Sequence, residues 1–565
     1  TGSSGGSSSS SSSSSKNSSV VEWKWDGING NNAVWIGNQH AGIRVFPKGA
    51  SDEWQAAVPF DSLATPPIPE EWSNNGTGGI RVSSSSSAAA DIATDIATTV
   101  TVFTGERELA YASSSSSSLV FRFSLMITPT RPLNLTKHWS ERHYQADGPT
   151  NYTAVAEGGA TILVEHQGNV VNPWINYPYL TNHLMRQASN ASHAVGMKFK
   201  IYNTMRELSY KAREIWAMRS LDETYVSGPD PQSDGTGSPW LQEHLGGNYQ
   251  VAWSNNMEQP IDQGSDMWWS QQEDHAIKVN ALSRWNNYYV QGNMQMQKDF
   301  QFDGIYLDEI AYDRVTMLRT KAILSHGLID HHCDLGAFCH SCASNYMELY
   351  PFIDSLWYGE GFDYDNATPD YWLAEISGLL LGLTSEMLRY PGMTPMHFRG
   401  LAHGMTNRWQ HSYKTWEKST ECVVEFAVSP GCDPFDPRDI WALQREFEIE
   451  RSNMIGWWED VLAVTSNVEN VKVTTYVRSG KSALIVLANF GKEVEEVTLE
   501  FDWELLGFKD GSGVIVRVPG LRVPVQLARA SVAVKDGVSI PLKVPALRTG
   551  AIDSCEGVIL MLEKI

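Results

Sequence analysis

The sequence predicts a multidomain protein of the α/β plus β class, with a (β/α)8 TIM-like barrel between an N-terminal β-sandwich and a small C-terminal β-sandwich. Three observations support this prediction. The chain has 565 residues, which is too many for a single hydrophobic core. Strand-like and helix-like segments alternate through its middle, as in α/β domains. Both ends instead carry short β-patterned segments without helical periodicity.

The predicted domain boundaries follow these changes of pattern. Residues 1–19 are rich in Ser and Gly and are predicted to be a linker or disordered. We assign the N-terminal β-sandwich to residues 20–132, the barrel to residues 133–468 and the C-terminal β-domain to residues 469–565.

Periodicity also predicts individual elements of the barrel. Short apolar runs predict strands at residues 161–165, 197–202, 302–307, 355–358 and 381–387. A helix face is predicted from the apolar side chains of Ile277, Ala281, Trp285 and Tyr288, which recur at helical spacing. Residues 441–449 and the pair Trp457 and Trp458 are expected to close the barrel.

Two adjacent carboxylates stand out at the centre of the chain. The apolar run Phe302, Ile305 and Leu307 ends on Asp308 and Glu309. In a (β/α)8 barrel the carboxyl ends of the strands carry the catalytic groups. From spacing alone a second reading stays open, in which Asp308 caps the next helix and Glu309 is solvated.

Composition excludes several classes of function. The net charge of −22 argues against nucleic acid and anionic membranes as partners. We expect no membrane span, because no apolar run reaches transmembrane length. The 21 Trp and 21 Tyr supply many side chains that can pack against sugar rings or fill cores. No phosphate-binding loop, dinucleotide fingerprint or zinc-protease helix is present, so we expect no cofactor.

Glycosylation sequons and cysteines predict the compartment. Five sequons that follow the Ser-rich start begin at Asn75, Asn134, Asn151, Asn190 and Asn366, a density typical of a secreted or lumenal glycoprotein. Cys422 and Cys432 flank a short segment and are predicted to form a disulfide. The cluster of Cys333, Cys339, Cys342 and nearby histidines permits zinc binding, but an oxidising compartment favours disulfides, and we expect no metal.

Several segments, taken in order, resemble family 123 of the glycoside hydrolases and related uncharacterised glycoside hydrolase-like proteins. They cover about residues 33 to 410. Each motif alone is a weak signal, and their order along the chain makes the resemblance specific. They are WIGN with GIR at residues 35–44, ITPTRPL followed by HW at 127–139, DGIYLDE at 303–309, LWYGEGFDY at 356–364, and PDYWL with SG and GMTNR at 369–408. The cysteine-rich stretch at residues 333–342 has no counterpart in this resemblance.

The resemblance implies an activity and two catalytic residues. Members of the family are similar to β-N-acetylgalactosaminidases, which retain the anomeric configuration and use the substrate's own 2-acetamido group as nucleophile. In that pattern Asp308 orients the acetamido group and Glu309 is the general acid and base. Substrate assistance of this kind is a known exception to the two-carboxylate rule of retaining glycosidases.

Other candidate substrate-binding residues lie at predicted strand ends or in the motifs. Tyr306 lies two residues before Asp308 and so on the same face of the strand. Glu360 follows another strand and is a candidate for binding sugar hydroxyls, or a second catalytic carboxylate. The remaining candidates are Tyr364, Trp372, Asn203 and His166. For each of them the alternative is a structural role, as a side chain that packs in the core or is solvated at the surface.

Three functions remain open at the level of sequence. The first is a secreted glycosidase acting on β-N-acetylhexosaminides, with a glycan or glycoconjugate as its partner. The second is a non-catalytic structural or carbohydrate-binding glycoprotein, associated with other subunits of an extracellular assembly. The third is a glycosidase of another specificity that uses Glu309 with Glu360. Retention of both Asp308 and Glu309 favours an enzyme.

We predict a disulfide between Cys422 and Cys432 because of their spacing and the secretory sequons. Peptide mapping of native protein, with and without reductant, should recover the two peptides joined only before reduction. Free thiols at both positions in native material would contradict the prediction.

Overall fold

The computed structural model describes residues 20–25, 34–48, 69–86, 96–107, 119–146, 150–215, 217, 251–256, 273–279, 284–308, 314–324, 326–334, 347–360, 367–387, 396–410, 437–491, 495–510, 513–517, 532–533, 541–544 and 558–564. Cys422, Cys432 and Asn366 lie outside these residues. The chain divides into two compact units. One comprises Thr1–Asn32, Val45–Trp54 and Ala64–Ser124, and the other comprises Ala33–Arg44, Gln55–Leu63 and Leu125–Ile565.

The first unit is built on antiparallel strands. Val20–Lys24, Gly79–Ser86 and Ile96–Phe103 form a sheet with Gly79–Ser86 in the middle. The short helix Glu70–Ser73 carries Trp72, whose buried indole N–H donates to the backbone carbonyls of Lys48 and Arg122. This satisfies the one polar atom of a large buried ring.

A second three-stranded sheet contains Val34–Gly37, Gly42–Lys48 and Arg122–Thr128. The N-terminal region is therefore rich in β-structure, as the sequence predicts. The predicted limits of that domain stay predictions.

Eight parallel strands form the barrel, and we number them 1 to 8 in chain order. They are His143–Ala146, Ile162–Glu165, Lys198–Asn203, Gly304–Asp308, Leu328–Asp334, Ser355–Glu360, Thr384–Met387, and the pair Thr406–Asn407 and Trp409–Gln410 as strand 8. In strand 8, Thr406–Asn407 pairs with strand 7 and Trp409–Gln410 pairs with strand 1. The sheet therefore closes on itself, and the predicted barrel is confirmed.

Helical segments connect the strands, as expected for βα units. In the barrel region the α-helices are Leu135–Ser140 before strand 1, then Tyr152–Glu157, Asn182–Ala194, Trp285–Phe300, Arg314–Ile323, Pro369–Tyr371, Met396–Ala402 and Arg438–Phe447. Shorter helical turns lie at Pro178–Thr181, Met347–Phe352, Trp372–Ile376, Leu379–Leu381 and Ile449–Arg451. A three-stranded antiparallel sheet interrupts the connection after strand 3, with strands Glu207–Ser209, Val251–Asn256 and Glu273–Lys278.

Two sequence predictions for the barrel are wrong. Ile277 does not begin a helix, because it lies in the inserted strand Glu273–Lys278 and the helix starts only at Trp285. Residues 441–449 and the pair Trp457 and Trp458 do not close the barrel, since strand 8 does so and residues 438–447 form a helix. Strand 8 is short and polar on its inner face, which carries Thr406 and Arg408, so it lacks the apolar run by which strands are recognised.

The C-terminal region is a β-sandwich. Its six-stranded sheet contains Asn453–Ile455, Val471–Arg478, Ser482–Asn489, Val558–Lys564, Val514–Arg517 and Val532–Ala533 in that order. Its three-stranded sheet contains Val464–Ser466, Glu495–Phe501 and Pro541–Val544. Two of these strands precede residue 469, where the sequence places the start of this domain.

The strand Ser482–Asn489 is buried on both faces. Ile485 and Leu487 face the three-stranded sheet and join the core of the sandwich. Leu484 and Val486 face the other way and pack with residues of the barrel helices, among them Leu443. This explains the continuous apolar run SALIVLAN, because a strand covered on both sides needs no polar face.

Among the described residues, no helix is long and apolar enough to cross a membrane. Four of the five predicted glycosylation sites can be located, and all four side chains are exposed: Asn75, Asn134, Asn151 and Asn190. The Oδ1 atoms of Asn134 and Asn151 also cap helices, accepting from the backbone N–H of Lys137 and Ala154. A glycan attaches through Nδ2 and leaves such a cap intact.

We predict that protein from its native source carries glycans at some of these four positions. Asn151→Asp removes the glycan but keeps a capping oxygen, whereas Asn151→Ala removes both and should lower the free energy of unfolding by about 1 kcal/mol. Glycopeptide mass spectrometry and denaturant unfolding measure the two effects separately. Unmodified peptides at all four positions would contradict the glycosylation prediction.

Candidate functional site

Asp308 is the last residue of barrel strand 4, at the carboxyl end where catalytic groups of such barrels lie. Gly304 opens this strand, because a Cβ there would collide with the backbone carbonyl of Leu328 on strand 5. Tyr306 and Asp308 share the inner face, and Tyr306 is 3% exposed. The Asp308 side chain keeps 21% of its surface exposed, so it remains reachable from solvent.

Three side chains contact the Asp308 carboxylate. The Tyr202 hydroxyl on strand 3 donates a hydrogen bond to Oδ2, and Arg206 Nη2 lies 3.6 Å from the same oxygen. His332 Nε2 on strand 5 lies 3.6 Å from Oδ1. Burial, with the nearby Asp308 charge, raises the pKa of Tyr202 well above its usual value, so its hydroxyl stays a donor. These contacts fix the orientation of the carboxylate.

An aromatic cluster surrounds this carboxylate, made of Tyr202, Tyr306, Trp357, His332 and His166. Ring centroids are 5.3 Å apart for Tyr202 and Tyr306, and also for Tyr306 and Trp357. His332 lies 5.3 Å from Trp357, and His166 lies 4.8 Å from Tyr202. The indole Nε1 of Trp357 is buried and has no hydrogen-bond partner among the described residues. Tyr202, Tyr306, Trp357 and His332 are all buried, so the cluster packs tightly beside the partly exposed Asp308 carboxylate.

Below the aromatic cluster lies a charged ring inside the barrel, made of His143, Lys200, Asp330, Glu386 and Arg408. Lys200 pairs with Asp330, and Arg408 bridges Asp330 at 2.6 Å and Glu386 at 2.8 Å. His143 lies 3.0 Å from Glu386 and 3.4 Å from the Lys200 ammonium. Four members come from the odd-numbered strands, which in such barrels contribute side chains to one layer.

The charged ring supports the aromatic cluster directly. The Arg408 guanidinium lies 4.0 Å from the ring centroid of Trp357 and 5.4 Å from that of Tyr306. Although burial raises the pKa of Glu386, the charge of Arg408 and hydrogen bonds from His143 and Arg408 lower it far below its usual value. Burial lowers the pKa of His143 to about 3, so that ring is neutral.

His143, Asp330 and Glu386 also have the residue types of a metal site. Their ligand atoms lie within 4.8 Å of one another, and all three are buried. Lys200 and Arg408 already pair with the two carboxylates, so a metal ion there would have to displace both side chains and would meet the positive charge of Arg408. The arrangement therefore fits an ion-pair network better than a metal centre.

The structure brings some predicted site residues together and separates others. Tyr306 and His166 lie in the aromatic cluster beside Asp308. Asn203 faces the surrounding helices, where its amide contacts Tyr289 and Asn293. Trp372 is fully buried among the helices, beside His403 and Arg399.

Three further predicted residues cannot be placed in the site. Glu360 ends strand 6 and pairs in register with Asp334, but its side chain lies outside the described residues. Glu309 and Tyr364 lie outside them altogether. Their predicted roles stay predictions.

Sequence reasoning missed four residues near Asp308: Tyr202, Arg206, His332 and Trp357. The signal that finds them is strand register. Tyr306 pairs with Tyr202 on one side and Asp330 on the other, while Asp308 pairs with His332. The pairing register between two strands determines which side chains of the second strand point into the barrel. This register cannot be derived from the sequence of one strand alone.

Models of three domains of one known protein family together match most of the chain. The model of the TIM-barrel domain of glycoside hydrolase 123 matches residues 134–410, the C-terminal domain of the same family matches residues 436–542, and its third domain matches residues 10–129. No curated protein matches the chain in sequence.

Solved structures give only remote likenesses. A maltogenic α-amylase from Thermotoga neapolitana is 10% identical, with a TM-score of 0.44 over 77% of this chain and 100% of that one. A β-L-arabinopyranosidase from Geobacillus stearothermophilus is 8% identical, with a TM-score of 0.41 over 77% of this chain and 99% of that one. At such TM-scores these likenesses carry no argument.

We predict that breaking the ion pairs of the charged ring lowers the stability of the fold strongly. Arg408→Met leaves Asp330 and Glu386 buried with too little positive charge and should lower the free energy of unfolding by about 3–5 kcal/mol. Adding Glu386→Gln to that variant should recover part of the loss, because one unpaired charge is removed. Denaturant unfolding of wild type, both single variants and the double variant measures the coupling. Strictly additive effects would show that the contacts in the ring do not matter for stability.

Proposed function

The chain is a glycoside hydrolase of family 123, and on that premise we propose that it is a secreted enzyme that cleaves terminal β-N-acetylhexosaminides, with N-acetylgalactosamine preferred. The proposed reaction retains the anomeric configuration, and the substrate's acetamido oxygen is the nucleophile. The observation that carries the proposal is Asp308, a partly exposed carboxylate with three side-chain neighbours at the carboxyl end of strand 4. The exposed sequons support secretion.

Asp308 is suited to hold the acetamido group. Its carboxylate accepts from Tyr202 and lies near Arg206, which leaves further lone pairs for the amide N–H of the substrate. That hydrogen bond turns the acetamido oxygen toward the anomeric carbon. As the oxygen attacks, positive charge develops on the resulting oxazolinium ring, and the fixed negative charge of Asp308 stabilises it.

Glu309 is the proposed proton donor to the leaving oxygen, and afterwards the base that activates water. Neighbouring residues of a strand point to opposite faces, so Asp308 and Glu309 would not normally reach the same bond. Asp308 is the last described residue of strand 4, and the proposal requires the chain to turn after it. With this division of roles the protein supplies no nucleophile, and one carboxylate stays charged while the other carries a proton.

The aromatic cluster supports a pyranose substrate. Tyr306 and Trp357 lie next to Asp308 but are only 3% and 4% exposed, so they pack around the carboxylate rather than offer an open ring face. The Trp357 indole N–H is a donor without a partner among the described residues, and a sugar hydroxyl group is an acceptor that suits it. A purely structural barrel has no need of a partly exposed carboxylate with three fixed neighbours.

Substitution of the two carboxylates tests the mechanism. Glu309→Gln removes the proton donor but keeps the nucleophile, so the rate on a natural glycoside should fall by about 10²–10⁴-fold. The loss should shrink for aryl glycosides whose leaving groups need no proton. Asp308→Asn should slow both kinds of substrate alike, because the charge acts on the acetamido group. Asp303→Asn is the matched control, since Asp303 lies at the opposite end of the same strand and bonds to Phe199 and His193.

The pH dependence follows from the same roles. Glu309 must be protonated to act, so activity should fall as the pH rises and its proton is lost. Efficient hydrolysis of a plain β-galactoside, or a trapped glycosyl ester on Glu360, would favour a two-carboxylate enzyme instead. No turnover of any hexosaminide would favour the non-catalytic alternative.

A further inference from the structure

The side chain of His332 lies between two hydrogen-bond acceptors. It is on strand 5, 3% exposed, and its Nδ1 is 3.0 Å from the backbone carbonyl oxygen of Trp357. Its Nε2 is 3.6 Å from Oδ1 of Asp308. A carbonyl oxygen only accepts, so Nδ1 must carry a hydrogen. The state of Nε2 then decides the charge of the ring.

The second acceptor decides that state. In a neutral ring with its hydrogen on Nδ1, the lone pair of Nε2 would face an ionised carboxylate, and the two would repel. With a second hydrogen on Nε2, the same contact becomes an attraction between opposite charges. At 3.6 Å the contact is an ion pair rather than a short hydrogen bond.

His143 provides an internal comparison in the same barrel. It also lies between two polar groups, but one is the Lys200 ammonium, which only donates, and the other is the Glu386 carboxylate, which only accepts. A neutral ring satisfies both neighbours, in agreement with a pKa lowered by burial to about 3. His332 has an acceptor on each side, and only the doubly protonated ring satisfies both.

We propose that His332 is a positioning residue that carries a proton on both ring nitrogens and thereby holds the Asp308 carboxylate in place. This rests on the proposed function only in the role given to Asp308. Tyr202 and Arg206 hold Oδ2, and His332 holds Oδ1, so the carboxylate is fixed from strands 3 and 5 and from the segment just after strand 3. Loss of the His332 proton would turn this contact into a repulsion and move the carboxylate.

Other charged groups lie around this contact. Asp330 precedes His332 on the same strand face, and its charge is already balanced by Lys200 and Arg408. Neighbouring His331 points outward and is bonded to the hydroxyl of Tyr358. Among the described residues, Asp308 is thus the carboxylate that pairs with His332.

Nuclear magnetic resonance tests the protonation state without any substrate. In protein labelled with ¹⁵N-histidine, the His332 ring is identified by its absence in His332→Gln. We expect both nitrogens to be protonated in mildly acidic solution, and one proton to leave on titration to alkaline pH. In Asp308→Asn the proton should leave at lower pH, because the paired charge is gone. A neutral ring with its hydrogen on Nδ1 alone in mildly acidic wild type would overturn the proposal.

Kinetics test the effect on the reaction. In the Glu309→Gln background with an activated aryl glycoside, no general acid is needed, so a remaining loss of activity at alkaline pH reports another group. We expect such a loss, and we expect it to disappear when His332→Gln is added, with kcat about 10²-fold lower and KM little changed. His331→Gln is the matched control and should leave the shape of the pH profile unchanged.

The outcomes separate the two proposals. A pH profile that keeps the same alkaline loss after His332→Gln would overturn the positioning role while leaving the proposed reaction intact. If no hexosaminide is cleaved, the proposed function fails, and the resonance experiment still decides whether His332 is doubly protonated.

Discussion

The barrel is built around charges that cannot leave its interior. Asp330 and Glu386 are buried, and each depends on a cation from another strand, Lys200 or Arg408. A shift of one residue in any of these strands would point a charge at the surrounding helices, at a cost of several kcal/mol. The ion pairs therefore specify the register of the sheet, although hydrophobic burial supplies most of the stability.

The positions of the side chains in the candidate site depend on this register. Lys200 and Tyr202 share the inner face of strand 3, and Asp330 and His332 share that of strand 5. Placing the first member of each pair in the charged ring places the second beside Asp308. The Arg408 guanidinium against the Trp357 ring joins the two layers. Orientation at the proposed catalytic carboxylate is thus fixed by contacts in the layer below it.

The parts of this fold that were predictable from sequence are those that leave a local pattern. The apolar run before Asp308 predicts both the strand and its polar end, and the apolar run at residues 483–488 predicts a strand of the C-terminal domain. Strand 8 escaped prediction because its inner side chains are polar. Tyr202 and His332 escaped because pairing between strands far apart in sequence decides which face points inward. The sequence predicts Asn203 as a substrate-binding residue because it ends strand 3. It follows the inward-pointing Tyr202 by one residue and therefore points toward the helices.

The strand Ser482–Asn489 has a consequence for how the enzyme can be divided. One of its faces belongs to the core of the C-terminal sandwich and the other covers the helices of the barrel. Cutting the chain after the barrel would expose a wide apolar surface of Leu443, Phe447 and their neighbours to water. Because each covers apolar surface of the other, we expect the barrel and the sandwich to unfold together, and we expect a barrel cut away from the sandwich to fold poorly.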